Sequence, residues 1–272
     1  MKLRSIQILL ISALLTLLLM DVSARGRKQD VQQNLSSLRI DINIPAYRLD
    51  LFHGDDLMKS YMVAVGMPYF RTTRRKFLLT RMMWRPWWYP PSSDWASGSG
   101  SSPPGPRNPL GPVKMMLGRT NYLIHGTNKP ESIGHTSSHG CIRMFSEDAV
   151  ELAWTIMVMA GTVDPIKTPQ EYINTKGSTV VTLRSAVVVR TVYRRIEIRD
   201  NRLLLHPDPY RMDHVGLNTI KKVLAENNYP EDSLSEEEMN SMLGYAMHGT
   251  ISKLLRTSSA KLDVELKDKQ SL

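Results

Sequence analysis

The sequence predicts a mainly β fold carrying a few helices, and three observations lead there. Runs of alternating apolar and polar residues recur at 38–51, 57–65, 77–84, 113–117, 121–125 and 179–205. Only three longer segments, 146–159, about 216–227 and about 236–248, carry apolar residues at helical spacing. Hydrophobic residues make up 42% of the 272, enough to bury a sizeable core, so a chain disordered throughout is excluded.

The N-terminus opens with Lys2 and Arg4 and continues into an apolar run over 6–20, interrupted only by Gln7, Ser12 and Thr16. Val22, Ser23 and Ala24 then supply small residues at the positions a signal peptidase reads. This is the layout of a secretory signal peptide over residues 1–24. The alternative, an uncleaved anchor, is short for a span of about 20 residues. No cysteine stands at the cleavage point to take a lipid, and no later segment is long and apolar enough to cross a membrane.

Residues 25–37 are polar and read as a linker. The runs at 38–51 and 57–65 flank a His53-Gly54-Asp55-Asp56 turn and form an expected hairpin. From 86 to 112 Pro, Gly, Ser and aromatic residues dominate, and the Gly/Ser stretch at 97–102 is expected to be flexible. Over 146–159, Ala149, Leu152, Ala153 and Ile156 form one face, with Ser146 as expected N-cap and an acidic first turn. The helix near 236–248 starts with a capping box, Ser235 to Glu238, flanked by a Leu234/Met239 staple, and Gly249 ends it. These boundaries divide the chain into a principal domain, 38–165, and a small α/β C-terminal extension, 166–272.

The formal net charge is +9. Such a charge suits polyanionic neighbours: nucleic acid, an anionic membrane face or an acidic wall polymer. No nucleic-acid-binding motif accompanies it. The chain has one cysteine, which cannot form an intramolecular disulfide and, in an exported protein, is exposed to oxidation unless it is needed.

That cysteine lies in the segment of highest chemical density. Three of the seven histidines, His125, His135 and His139, lie within 17 residues that end at Cys141. A thiol becomes a strong nucleophile when an imidazole accepts its proton and a third group fixes the imidazole tautomer. His125 follows Tyr122-Leu123-Ile124, a strand-like run, and precedes Gly126, so it can sit rigidly at a strand end. Gly140 leaves space beside the thiol. Two other readings stand beside the nucleophile: a zinc site of His135, His139, Cys141 and His125, and a buried structural thiol. The loop-like Thr136-Ser137-Ser138 between the histidines lacks the helical spacing of a zinc pair.

The composite pattern resembles the L,D-transpeptidase catalytic domain of the YkuD type. His125-Gly126-Thr127 and Ser138-His139-Gly140-Cys141-Ile142-Arg143 stand as that family's signature does. The 43–49 run resembles its first strand, Trp88-Tyr89-Pro90-Pro91 and residues 104–111 resemble the loop before its active site, and Asn128, Pro130, Ser132, Ile133 and Gly134 also fit. Residues 200–207 resemble the tail of Gram-negative relatives. The resemblance covers about half the chain. It implies a β-sandwich or barrel-like domain with one or two helices.

It also implies roles. Cys141 attacks an amide carbonyl of a peptidoglycan stem peptide and forms a thioester. His125 takes the thiol proton, and its pairing with the thiol is expected to bring the thiol pKa below that of free cysteine. The carbonyl of Gly126 orients His125, and the amides of Gly140 and Cys141 stabilise the oxyanion. His139 shapes the site. Arg143 binds a substrate carboxylate or holds the loop, and Tyr122, Ser138, Trp88 and Tyr89 line a cleft. The resemblance implies no cofactor and no metal. The implied partners are stem peptides and an outer-membrane lipoprotein, with no nucleic acid and no membrane span after signal cleavage, in the periplasm at the cell wall. A carboxypeptidase or amidase reaction through the same thioester, and a non-catalytic wall-associated protein, are the alternatives. One departure stands out: the family's Thr-Pro-x-Gly turn is replaced at 71–76 by Arg-Thr-Thr-Arg-Arg-Lys.

Overall fold

A computed structural model describes residues 35–163 and 166–256. The expected export signal and nearly all of the linker lie outside the described residues.

The fold is mainly β. Eight strands form one sheet in the order β3-β2-β1-β10-β5-β6-β7-β9. They are β1 (Leu35–Asn43), β2 (Arg48–His53), β3 (Asp56–Met62), β5 (Lys76–Trp84), β6 (Val113–Leu117), β7 (Leu123–His125), β9 (Ile142–Arg143) and β10 (Thr179–Val192). Two short strands, β4 (Val65–Gly66) and β8 (Thr136–Ser138), pair in parallel beside it. The helix α1 (Ser146–Met159) covers one face of the sheet, burying Ala149, Leu152, Ala153, Ile156 and Met157 among Ile40, Leu79, Trp84, Met115 and Ile124.

Two expectations about this sheet are corrected. The 38–51 run is two strands, β1 and β2, joined by a turn at 44–47. Pro45 has no N–H to give a ladder and Tyr47 adopts φ +49°, so the run folds back there, and the expected turn at 53–56 forms as well, joining β2 to β3 in an antiparallel hairpin. The boundary expected at 165 also moves. β10 lies between β1 and β5 in the middle of the main sheet, parallel to the first and antiparallel to the second. Its alternating Leu183, Val187 and Val189 are buried in the main core, so the principal domain reaches at least Val192.

The rest forms a smaller layer. Strands β11 (Ile196–Arg199), β12 (Arg202–Leu205) and β13 (Ile251–Leu254) make a three-stranded antiparallel sheet. The helices α3 (Leu217–Glu226) and α4 (Glu236–Tyr245) bury Ile220, Leu224, Met239 and Met242 against it, and the short α2 (Gln170–Ile173) precedes β10. The capping box of α4 forms as expected, with Glu238 N to Ser235 Oγ at 3.2 Å and Ser235 N to Glu238 Oε2 at 2.9 Å. Leu234 and Met239 are both buried at its start.

A polar seam joins the two layers. Glu197 on β11 accepts hydrogen bonds from Arg48 Nη2 (2.6 Å) and Asn43 Nδ2 (2.7 Å). The buried His206 lies 3.4 Å from the same carboxylate. Burial would raise the Glu197 carboxyl, but His206 and Arg48 hold it at about 2.

Candidate active site

β7 and β9 run parallel with Ile124 opposite Ile142 and His125 opposite Arg143. The strand that ends in His125 therefore lies directly against the strand that Cys141 leads into. The backbone N–H of Leu123 on β7 reaches the Cys141 sulfur, and Sγ lies 3.5 Å from the carbonyl of Asn121. Met144 N donates to His125 O (2.9 Å) and closes the end of the pair.

His125 is buried, and its Nδ1 lies 2.5 Å from the carbonyl oxygen of Gly126. A carbonyl can only accept, so Nδ1 carries the proton and Nε2 keeps a lone pair. The Gly126 carbonyl is fixed because the Gly126 backbone packs against Gly111. A Cβ on Gly126 would lie 3.0 Å from Pro112 Cδ and 3.1 Å from Ser146 Oγ. Ser146 does not cap α1 as expected. Its hydroxyl donates to Thr127 O (3.0 Å) and ties the helix to the strand end that bears His125.

The loop before Cys141 is held from three sides. Ser138 Oγ donates to Cys141 O (2.5 Å) and accepts from Gly140 N (3.1 Å). Thr72 Oγ1 donates to Gly140 O (2.9 Å). Gly140 sits at φ +108°, and a Cβ there would come within 2.9 Å of Tyr122 Cε1. Its amide is occupied by Ser138, which removes it from the expected pair of oxyanion donors. The Cys141 amide meets no acceptor among the described residues.

A family model described as the YkuD L,D-transpeptidase catalytic domain matches residues 37–182. The chain belongs to this family. The YkuD protein of Bacillus licheniformis is 34% identical over 115 residues, covering 42% of this chain and 58% of that one. The YbiS protein of Escherichia coli K12 is 50% identical over 46 residues, 17% of this chain and 15% of its own. Both carry L,D-transpeptidase names. The chain thus spans little more than half of the Bacillus relative. A solved L,D-transpeptidase from Mycobacterium smegmatis overlaps 57% of this chain and 59% of its own at 14% identity, with a TM-score of 0.37.

In this transpeptidase domain the resting charges follow from burial. Burial pushes the His125 imidazole down to about 4, and the cations Arg143 and Lys114 push the same way, opposed by the Gly126 carbonyl. Burial raises the Cys141 thiol, opposed by the Leu123 N–H and by Arg143. Both groups are therefore neutral near pH 7. The shift runs opposite to the expectation of a thiol pKa below that of free cysteine: His125 is buried, and burial outweighs the Leu123 N–H and Arg143 at the thiol.

Of the cleft residues expected from sequence, Tyr122 packs against Gly140, and Ser138 is buried as a loop brace. Trp88 pairs through its backbone with Ser102, and the exposed Tyr89 stacks on Trp87. Neither ring is brought to His139. Trp95 takes that place, stacked on His139 at 3.8 Å and 9°, with Phe70 edge-on at 4.7 Å. The loop that carries Trp95 is ordered around the buried Asn108, whose Nδ2 donates to Pro86 O (2.8 Å) and Pro103 O (3.0 Å). Its Gly/Ser stretch, expected to be flexible, is tied at Ser102. His135 is exposed. Thr72, Phe70 and Trp95 are site neighbours that sequence reasoning missed. An aromatic residue inside a Pro-, Gly- and Ser-rich loop was the one available signal, and it pointed equally to Trp88 and Tyr89.

Proposed function

We propose that this chain is a peptidoglycan L,D-transpeptidase that works through a Cys141 thioester, exported by its N-terminal segment to the periplasm. The observation that carries this reading is the pairing of β7, which ends in the buried His125, with β9, which begins one residue after the chain's only thiol, while the Gly126 carbonyl holds the Nδ1 proton and leaves Nε2 its lone pair. Cys141 Sγ attacks the amide carbonyl of a tetrapeptide stem while its proton passes to His125 Nε2. The Cys141 N–H takes the oxyanion charge, and Arg143 supplies a cation beside it. His125 returns the proton to the leaving amine, and the C–N bond breaks to leave the thioester. An acceptor amine, from a second stem or a lipoprotein, then attacks the thioester, gives its proton to His125, and the thiol is restored. The +9 charge suits an acidic wall as surroundings.

Incubation of the purified protein with tetrapeptide-stem muropeptides, followed by mass spectrometry, tests this. Cross-linked dimers that vanish in Cys141→Ala support it. Release of the terminal residue without dimers would replace transpeptidation by the carboxypeptidase reading, and no product at all would refute it.

A further inference from the structure

Tyr210 lies outside the 37–182 family match, in the turn after β12, yet it reaches the nucleophile loop. Asp208 builds that turn. Its carboxylate accepts from Met212 N (2.9 Å) and Asp213 N (3.0 Å) and from the Tyr193 hydroxyl, and Arg211 takes φ +52°. Tyr193 Oη in turn accepts from Tyr210 N (2.9 Å), and the two rings stack at 5.8 Å. The Tyr210 ring is thereby aimed at the segment between β4 and β5, and it is 2% exposed.

There the hydroxyl completes a closed circuit. Tyr210 Oη donates to Gly66 O (2.8 Å) and accepts from Thr72 N (3.0 Å). Thr72 Oγ1 accepts from Gly66 N (2.9 Å) and donates to Gly140 O (2.9 Å). Each hydroxyl has one proton, and each backbone N–H can only donate, so the direction of every bond is set. The Thr72 proton is left for Gly140 O alone. The peptide between Gly140 and Cys141 is planar and trans, so fixing its carbonyl fixes the opposite direction of the Cys141 N–H. That N–H meets no acceptor among the described residues.

We infer that Tyr210 is a positioning residue for this site: through Thr72 and the Gly140 carbonyl it aims the Cys141 N–H at the carbonyl oxygen that becomes an oxyanion. The circuit also accounts for how a 71–76 turn without the family's Pro and Gly still serves the site. This inference rests on Cys141 being the nucleophile of the proposed reaction, but not on the identity of the substrate.

Two reagents separate aiming from thiol activation. Acetylation by p-nitrophenyl acetate passes through an oxyanion: Sγ bonds to the acyl carbon, the thiol proton goes to His125, and p-nitrophenolate departs with the C–O electron pair. Alkylation by iodoacetamide displaces iodide at saturated carbon and forms no oxyanion. Tyr210→Phe keeps the ring stacked on Tyr193 and loses only the hydroxyl. We expect its acetylation rate to fall about fivefold to tenfold, the worth of one hydrogen bond, with the iodoacetamide rate unchanged. Thr72→Val should show the same split, Thr72→Ser should restore the rate, and the Tyr210→Phe/Thr72→Val pair should lose less than the product of the single losses. Unchanged acetylation in Tyr210→Phe would overturn the inference, as would an equal fall in both rates. Cys141→Ala should abolish both reactions. If it did, and wild type left stem peptides untouched, the proposed substrate would fail while the positioning result stood.

Discussion

Acidification should unfold this protein in a window set by His125. The imidazole titrates near its ordinary value of 6.5 in the unfolded chain and near 4 in the folded one. Between those values the unfolded state binds more protons, so stability falls as pH falls. The contribution is intact above about 6.5. Linkage gives a loss of about 2 kcal/mol at pH 5 and about 3 kcal/mol at pH 4, where half of the folded chains carry the charge. The group is buried, so solvent offers little relief. His125→Gln removes the titration, and its amide can still donate to Gly126 O. Urea unfolding of both proteins from pH 7 to 4 measures the difference directly. Wild type should lose about 3 kcal/mol more than the variant over that range. Parallel stability curves would show that the folded imidazole titrates normally, and the buried-base argument would fail.

Other outcomes follow from the same geometry. The iodoacetamide rate at Cys141 should rise with pH to a midpoint above that of free cysteine, and a thiolate plateau below pH 7 would contradict the neutral resting pair. Gly140→Ala forces a Cβ to 2.9 Å from Tyr122 at φ +108°, so it should cost about 1–3 kcal/mol in denaturant and slow acetylation of Cys141, and wild-type values of both would refute the close fit. Glu197→Gln leaves Arg48 with only Asp50 as a carboxylate partner. It should cost on the order of 2–3 kcal/mol at pH 7, and the cost should shrink below pH 4.5 as the wild-type carboxyl protonates toward about 2. A pH-independent cost would mean that the seam is held by shape alone.

The sequence made the local physics readable. The β6 run, the α1 face and the Ser235 capping box are each set by periodicity or by a hydrogen bond within a few residues. His125 and Cys141 stood out because a thiol and an imidazole in one short segment announce their chemistry, whereas the Gly126 carbonyl was implied only by the family resemblance. What was hidden was set by distant pairing. β10 reads only as another strand, and nothing local says that it enters the sheet between β1 and β5. Thr72 and Tyr210 have no chemical signature of their own, and their role comes from 138 residues of chain folding back to bring one hydroxyl to one amide. The upward direction of the thiol shift was hidden for a related reason, because the motif places an imidazole near the thiol in sequence and is silent on how strongly burial acts there.

The proposed reaction requires Cys141 to carry the acyl group. Intact-protein mass spectrometry after rapid mixing with a tetrapeptide-stem donor reads it most directly. A single acyl adduct should appear, map by proteolysis to Cys141, decay when an amine acceptor is added, and be missing from Cys141→Ala. Product formation by a chain in which Cys141 never carries the adduct, or by Cys141→Ala at the wild-type rate, would exclude Cys141 as the acyl carrier.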